Sequence, residues 1–221
     1  MATRVESTSS PQEISPAAKN EATVNGKTFL LICAATRAQG APTQGSGDAN
    51  PLTGEVLQHG TIQNIEKVFQ ENKLQNIKIF YGPEAHYKAT AEAVEQGLKS
   101  RKIDVIKSEE PILRKANKEK TSPAYEDHPA RQKRAVQGGN EVLAKVDPNT
   151  LTIIVTDADL NMRHLKEIAT KDKALEAFKR SREVQGKSLC PGRDEIFVLV
   201  RDANNVDHFV KKLDQSSSPK L

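Results

Sequence analysis

Three short segments carry the side-chain types from which a reaction could be assembled: Cys33 to Arg37, Gly82 to His86 and Thr156 to Asp159. Each follows an apolar run that reads as a strand, and open α/β sheets bind ligands beyond the carboxyl ends of their strands. A cysteine, a histidine and an aspartate can act as nucleophile, base and orienting group if Cys33, His86 and Asp157 share one crevice. The same three could ligate a metal, but no close-spaced ligand pair accompanies them, so no metal is expected. Each also has an ordinary structural use: Cys33 as a small buried hydrophobe, His86 as a residue at the start of a helix, Asp157 as the cap of the following helix. Arg37 and Arg163 are the basic residues placed to hold an anion, aided by a helix N-terminus near Tyr87; the competing use is as solvated surface arginines.

The elements that would position these residues follow from hydrophobic periodicity. Phe29 to Cys33 is a continuous apolar run, the pattern of a strand covered on both faces. A Gly- and Pro-rich loop is expected from Arg37 to Gly60; its glycines have neither Walker nor dinucleotide spacing. Thr61 is expected to cap a helix through Ile62, Ile65, Val68 and Phe69, and Ile77, Ile79 and Phe80 read as the next strand. Ala89, Ala91, Ala93, Val94 and Leu98 mark a second helix; Ile103, Val105 and Ile106 mark a third strand. The segment 113–134 is polar and basic and reads as an insertion. A helix through Val136, Val142, Leu143 and Val146 leads to a strand at Leu151 to Val155, then helices from about Leu160 to Val184. A strand at Ile196 to Val200 and a final amphipathic helix through Val206, Phe209, Val210 and Leu213 complete the domain. This alternation predicts an α/β three-layer sandwich, with a mainly parallel central sheet and helices on both faces.

The 221 residues suit one domain, placed at 27–214, between an N-terminal tail (1–26) expected to be disordered and a frayed C-terminus (215–221). A net charge of +4 from 33 basic and 29 acidic residues describes a mixed surface, and Trp is absent; both argue against a nucleic-acid binder. Cys33 and Cys190 cannot form a dense disulfide framework, and no stretch has the character of a signal peptide or a membrane span. A soluble cytoplasmic protein is the expectation, with export by a tail signal as the other route.

The run Phe29 to Thr36, the segment Gly82-Pro83-Glu84-Ala85-His86-Tyr87-Lys88-Ala89-Thr90-Ala91 and the stretch Thr152 to Leu165 together resemble the histidine phosphatase superfamily, the phosphoglycerate-mutase-like fold. In that family the first strand runs into Arg-His-Gly, the second into Ser-Pro-x-x-Arg-Ala-x-x-Thr-Ala, and a later strand into a further histidine. The resemblance implies that Cys33 stands in place of the arginine, Ala34 in place of the nucleophilic histidine, His86 in place of the second arginine, and Asp157 in place of the second histidine. Alanine has no lone pair to attack phosphorus, and an aspartate repels the dianion that guanidinium groups stabilise. The expectation is therefore a pseudophosphatase needing no cofactor, which binds a protein or an anionic ligand through its altered pocket or basic insertion. The alternative is a hydrolase with altered chemistry at Cys33, His86 and Asp157.

Overall fold

The computed structural model of the chain describes residues 26–34, 59–189 and 195–214. In β1 (Lys27–Cys33), Phe29 and Leu31 face one layer while Leu30 and Ile32 face the other, and all four are at most 2 % exposed. There follow α1 (His59–Glu71), β2 (Asn76–Tyr81), α2 (Ala85–Lys99), β3 (Val105–Glu109), a 3-10 turn (Pro111–Leu113), α3 (His128–Ala144), β4 (Thr150–Thr156), α4 (Ala158–Ala169), α5 (Lys173–Val184), β5 (Glu195–Arg201) and β6 (Asp207–Asp214).

The strands form one sheet in the order β3-β2-β4-β1-β5-β6. β1 to β4 run parallel, and β5 is antiparallel to both β1 and β6. On one face Ile62, Ile65 and Val68 of α1 and Ala91, Val94 and Leu98 of α2 pack against Leu30, Ile79 and Ile153. On the other, Val142 and Leu143 of α3, Leu165 and Ile168 of α4 and Leu175 of α5 pack against Phe29, Leu31 and Phe197. The result is the expected three-layer sandwich with a mixed sheet. Each fully buried Leu, Ile or Phe contributes about 1.5–3 kcal/mol of transfer free energy, so the two-faced central strands supply much of the stability.

Three expectations about elements need correction. The segment through Val206, Phe209, Val210 and Leu213 is strand β6, not a helix. A bulge lets Val198 pair with Lys211 while Leu199 pairs with Phe209, leaving Val210 as the extra residue. That shift sends Phe209 to one face, against Phe178 and Phe197, and Leu213 to the other, so the apolar spacing imitates a helix. Asp202 nucleates the hairpin by accepting the N–H groups of Asn204 (2.9 Å) and Val206 (2.8 Å), and Asn205 takes a positive φ of 61°. Thr61 does not cap α1, which begins at His59; it lies inside the helix, fully buried, with an unpaired hydroxyl. Finally, α3 starts at His128 rather than near Val136, capped by Asp127, whose carboxylate accepts the Ala130 N–H at 2.8 Å.

Two buried arginines tie the periphery to this core. Arg134 of α3 grips both oxygens of Glu126 (Nε–Oε1 2.6 Å, Nη2–Oε2 2.7 Å) and donates to the carbonyls of Ile112 and Arg114. Arg201 of β5 holds Asp207 of β6 in the same bidentate way (2.6 and 2.7 Å), and His164 of α4 meets the same carboxylate at 3.3 Å.

Candidate functional site

The carboxyl ends of β1, β2 and β4 bring together the first-strand residues, the start of α2 and the start of α4. Cys33 is 8 % exposed; the Asn161 amide of α4 donates to the Ile32 carbonyl at 3.1 Å and lies 3.7 Å from the Cys33 sulfur. Ala34 is buried, its N–H donating to the Thr156 carbonyl at 2.9 Å, so the side chain at the end of β1 is a methyl group with no chemistry. Asp157 is the N-cap of α4: one carboxylate oxygen accepts the Leu160 N–H at 2.7 Å. His86 lies in the first turn of α2, edge-on to the Tyr87 ring with centroids 4.1 Å apart, and its carbonyl accepts the Thr90 hydroxyl at 2.8 Å. Arg37 lies outside the described residues. Among the described residues, no group of three or more His, Cys, Asp or Glu side chains could hold a metal ion.

Two residues that sequence reasoning passed over dominate the local electrostatics. Glu84, at the N-cap position of α2, makes no side-chain cap bond; one of its oxygens accepts the Lys115 N–H, and the other is buried without a partner. Tyr87 is fully buried, and its hydroxyl forms no hydrogen bond of acceptable geometry although the Asp157 carboxylate lies near enough to act on it. Burial first, and then the negative charges of Asp157 and Glu84, push the phenol far above its ordinary range. It stays protonated. Because an unpaired buried hydroxyl costs about 1–3 kcal/mol, Tyr87→Phe is expected to leave stability unchanged or raise it by about 1 kcal/mol in urea unfolding. A marked loss of stability would show that the hydroxyl is well bonded.

Arg163 is buried and clasped to Asp159, with Nε–Oδ2 at 3.1 Å and Nη2–Oδ1 at 3.2 Å, and it donates to the His128 carbonyl at 3.3 Å. Arg131 (3.2 Å) and Lys118 (3.9 Å), both from the basic segment 113–134, reach the same carboxylate. Burial works to raise the Asp159 carboxyl, but the Arg163 hydrogen bonds and the three positive charges win and hold it below the usual range. Three cations thus share one anion in the first turn of α4, which itself favours negative charge. The positive charge of the region gathers here, while the strand ends hold Glu84, Asp157 and Tyr87.

No family model matches this chain, and no curated protein matches it in sequence. Solved structures do match in fold. The structure of mycobacterial hydrolase 2 aligns over 89 % of this chain and 94 % of its own, at TM-score 0.52 and 11 % identity. A candidate alpha-ribazole-5'-P phosphatase of Escherichia coli aligns over 86 % and 97 %, at TM-score 0.51 and 12 % identity. The protein histidine phosphatase SixA complexed with tungstate aligns over 85 % and 97 %, at TM-score 0.48 and 13 % identity.

The chain shares its α/β fold with the hydrolase and phosphatase structures above. The shared layout spans nearly the whole length of these neighbours, and the fold expected from the short motifs is the fold observed. No helix among the described residues is long and apolar enough to cross a membrane. At this level of identity the likeness concerns architecture alone, and the chemistry must be argued from the side chains.

Proposed function

We propose that this domain does not transfer phosphoryl groups and acts as a binding module, using the histidine-phosphatase-like frame to display charged groups to a protein or other anionic ligand. The observation that supports this most directly is the end of β1, where buried Ala34 offers no nucleophile and the nearest acidic neighbours are unsuited to a phosphate dianion. Asp157 spends one carboxylate oxygen on a helix cap rather than on a proton relay. An anionic group is instead better received by exposed Lys118 and by Arg131, which flank the buried Arg163–Asp159 pair and leave the cluster with excess positive charge.

The test is turnover of an aryl phosphate and of phosphopeptides between pH 4 and 8, where none is expected. Turnover abolished by His86→Ala or Asp157→Asn would overturn the proposal. The reading as a hydrolase with altered chemistry requires an activated Cys33 thiolate, and this sulfur is buried beside Asn161. In a Cys190→Ser background, alkylation of Cys33 by iodoacetamide at pH 7 is expected to be much slower in the native protein than after unfolding in urea. Native reaction faster than that of the unfolded chain would favour the hydrolase.

A further inference from the structure

We infer that a cleft between α3, the end of α4 and the β5-β6 hairpin binds a small aliphatic carboxylate, held at its charged end by Arg201 and Lys171. The cleft encloses about 140 Å³. A buried water needs about 10–15 Å³ of such space, so a ligand of several non-hydrogen atoms fits. The cleft lies at the opposite end of the sheet from Ala34, because Arg201 pairs with Lys27, the first residue of β1. The inference therefore goes beyond the noncatalytic reading and does not depend on it.

The floor of the cleft is the buried trio of Arg201, Asp207 and His164. Arg201, its side chain 7 % exposed, donates from Nε and Nη2 to Asp207. Its Nη1 makes no hydrogen bond among the described residues and is not sealed from solvent. Asp207 is saturated by comparison: both of its oxygens accept from Arg201, and Oδ2 also meets His164 Nε2. The hydrogen-bonding capacity left at the floor is that of a cation. At the mouth, the exposed Lys171 ammonium makes one contact with Glu167, at 3.1 Å, and keeps donors for a second partner. Val136, Ile168 and Val206 line the same cleft and supply apolar surface for a short hydrocarbon. The floor is also pre-formed. A Cβ at Gly139 would collide with the His164 ring, so α3 fixes the imidazole that meets Asp207.

A carboxylate suits these groups better than phosphate does. Its single charge can meet Arg201 Nη1 and the Lys171 ammonium together, whereas a dianion would stand beside Asp207 and Glu167, whose charges already balance those two cations. A neutral amide of the same shape would forgo the charge-assisted hydrogen bonds.

The experiment is an NMR titration of the full chain with sodium butyrate, compared with butyramide, inorganic phosphate and sodium chloride at constant ionic strength. Saturable shifts are expected with butyrate at residues 140, 164–171 and 201–207 and at the Arg201 side-chain N–H groups. Butyramide and phosphate should bind at least about tenfold more weakly, and chloride should give no saturable response. Arg201→Lys should weaken butyrate binding by roughly tenfold or more, the effect of losing a hydrogen bond between charged groups. Because that change also loosens Asp207, Asn140→Trp serves as the second variant: position 140 is an exposed helix site on the cleft, where an indole blocks the opening without entering the core. Butyrate binding should then be lost. No saturable response at about 50 mM butyrate, a Kd too weak for a specific site, would overturn the inference. So would equal binding of butyramide, phosphate or chloride, or unchanged affinity in Asn140→Trp. Turnover of aryl phosphate would instead overturn only the noncatalytic reading.

Discussion

Replacing Arg134 with methionine is expected to destabilise the protein by roughly 3–5 kcal/mol, the cost of removing one partner of a buried ion pair. The side chain is 9 % exposed and satisfies four acceptors at once: both oxygens of Glu126 and the carbonyls of Ile112 and Arg114. Methionine fills much of the volume but removes the donor to two carbonyls and leaves the Glu126 carboxylate with Arg114, at 3.1 Å, as its remaining side-chain partner. Burial works to raise the Glu126 carboxyl, yet the Arg134 hydrogen bonds and the charges of Arg134 and Arg114 outweigh it and the net shift is downward. Without Arg134 the burial cost of the Glu126 carboxylate loses its largest opposing contribution, so the carboxyl should shift upward or swing into solvent. Urea unfolding at pH 7 measures the loss. Limited proteolysis should show new cleavage between residues 114 and 127, the loop that Arg134 fastens to α3. Arg134→Lys should recover only part of the stability, because one ammonium cannot reproduce the fork. A loss below about 1 kcal/mol with unchanged proteolysis would mean that the loop is held by other contacts.

The fold was legible wherever burial was two-sided and regular. β1, β4 and β5 are covered on both faces, so each reads as an unbroken apolar run, and the intervening helices bury one stripe at helical spacing. β6 was misread because a single bulge at Val210 moves later side chains to the opposite face, and the apolar positions then fall at spacings of three and four. The early start of α3 was obscured by the polar composition of its first turns, although Asp127 followed by Pro129 is a start signal.

The site was legible only in part. The segments that carry it were located by strand ends, and the alternative use of Asp157 as a helix cap is the one its hydrogen bond shows. Arg163 is spent on Asp159 rather than on an external anion, a pairing that follows from their spacing of four residues on one helix face. Glu84 and Tyr87 carry no composition signal. Their significance is that polar atoms are buried without partners, a property of the packed structure that no spacing rule reports.

Arg201→Met is expected to have the second large effect, of about 3 kcal/mol at pH 7, with a pH dependence that identifies its cause. Asp207 is held by two Arg201 hydrogen bonds and one His164 contact, and all three side chains are at most 10 % exposed. Burial acts to raise the Asp207 carboxyl, but the Arg201 and His164 hydrogen bonds and charges outweigh it and hold the carboxyl below its ordinary value. A carboxyl depressed in the folded state stabilises the fold above its unfolded pKa of about 3.9, and that contribution is lost as pH falls through the lower folded value. The native protein should therefore hold its stability from pH 7 to about pH 5 and lose it below about pH 4, with Asp159 and Glu126 acting in the same direction. In Arg201→Met the burial cost is no longer offset by the guanidinium, so acid relieves the uncompensated charge. The stability gap between variant and native protein should narrow as pH falls from 7 to 4. Adding Asp207→Asn to Arg201→Met should recover part of the loss at pH 7, since a buried amide costs less than a buried carboxylate that has lost its arginine. A gap independent of pH, or no recovery in the double variant, would place the effect in lost packing rather than in charge.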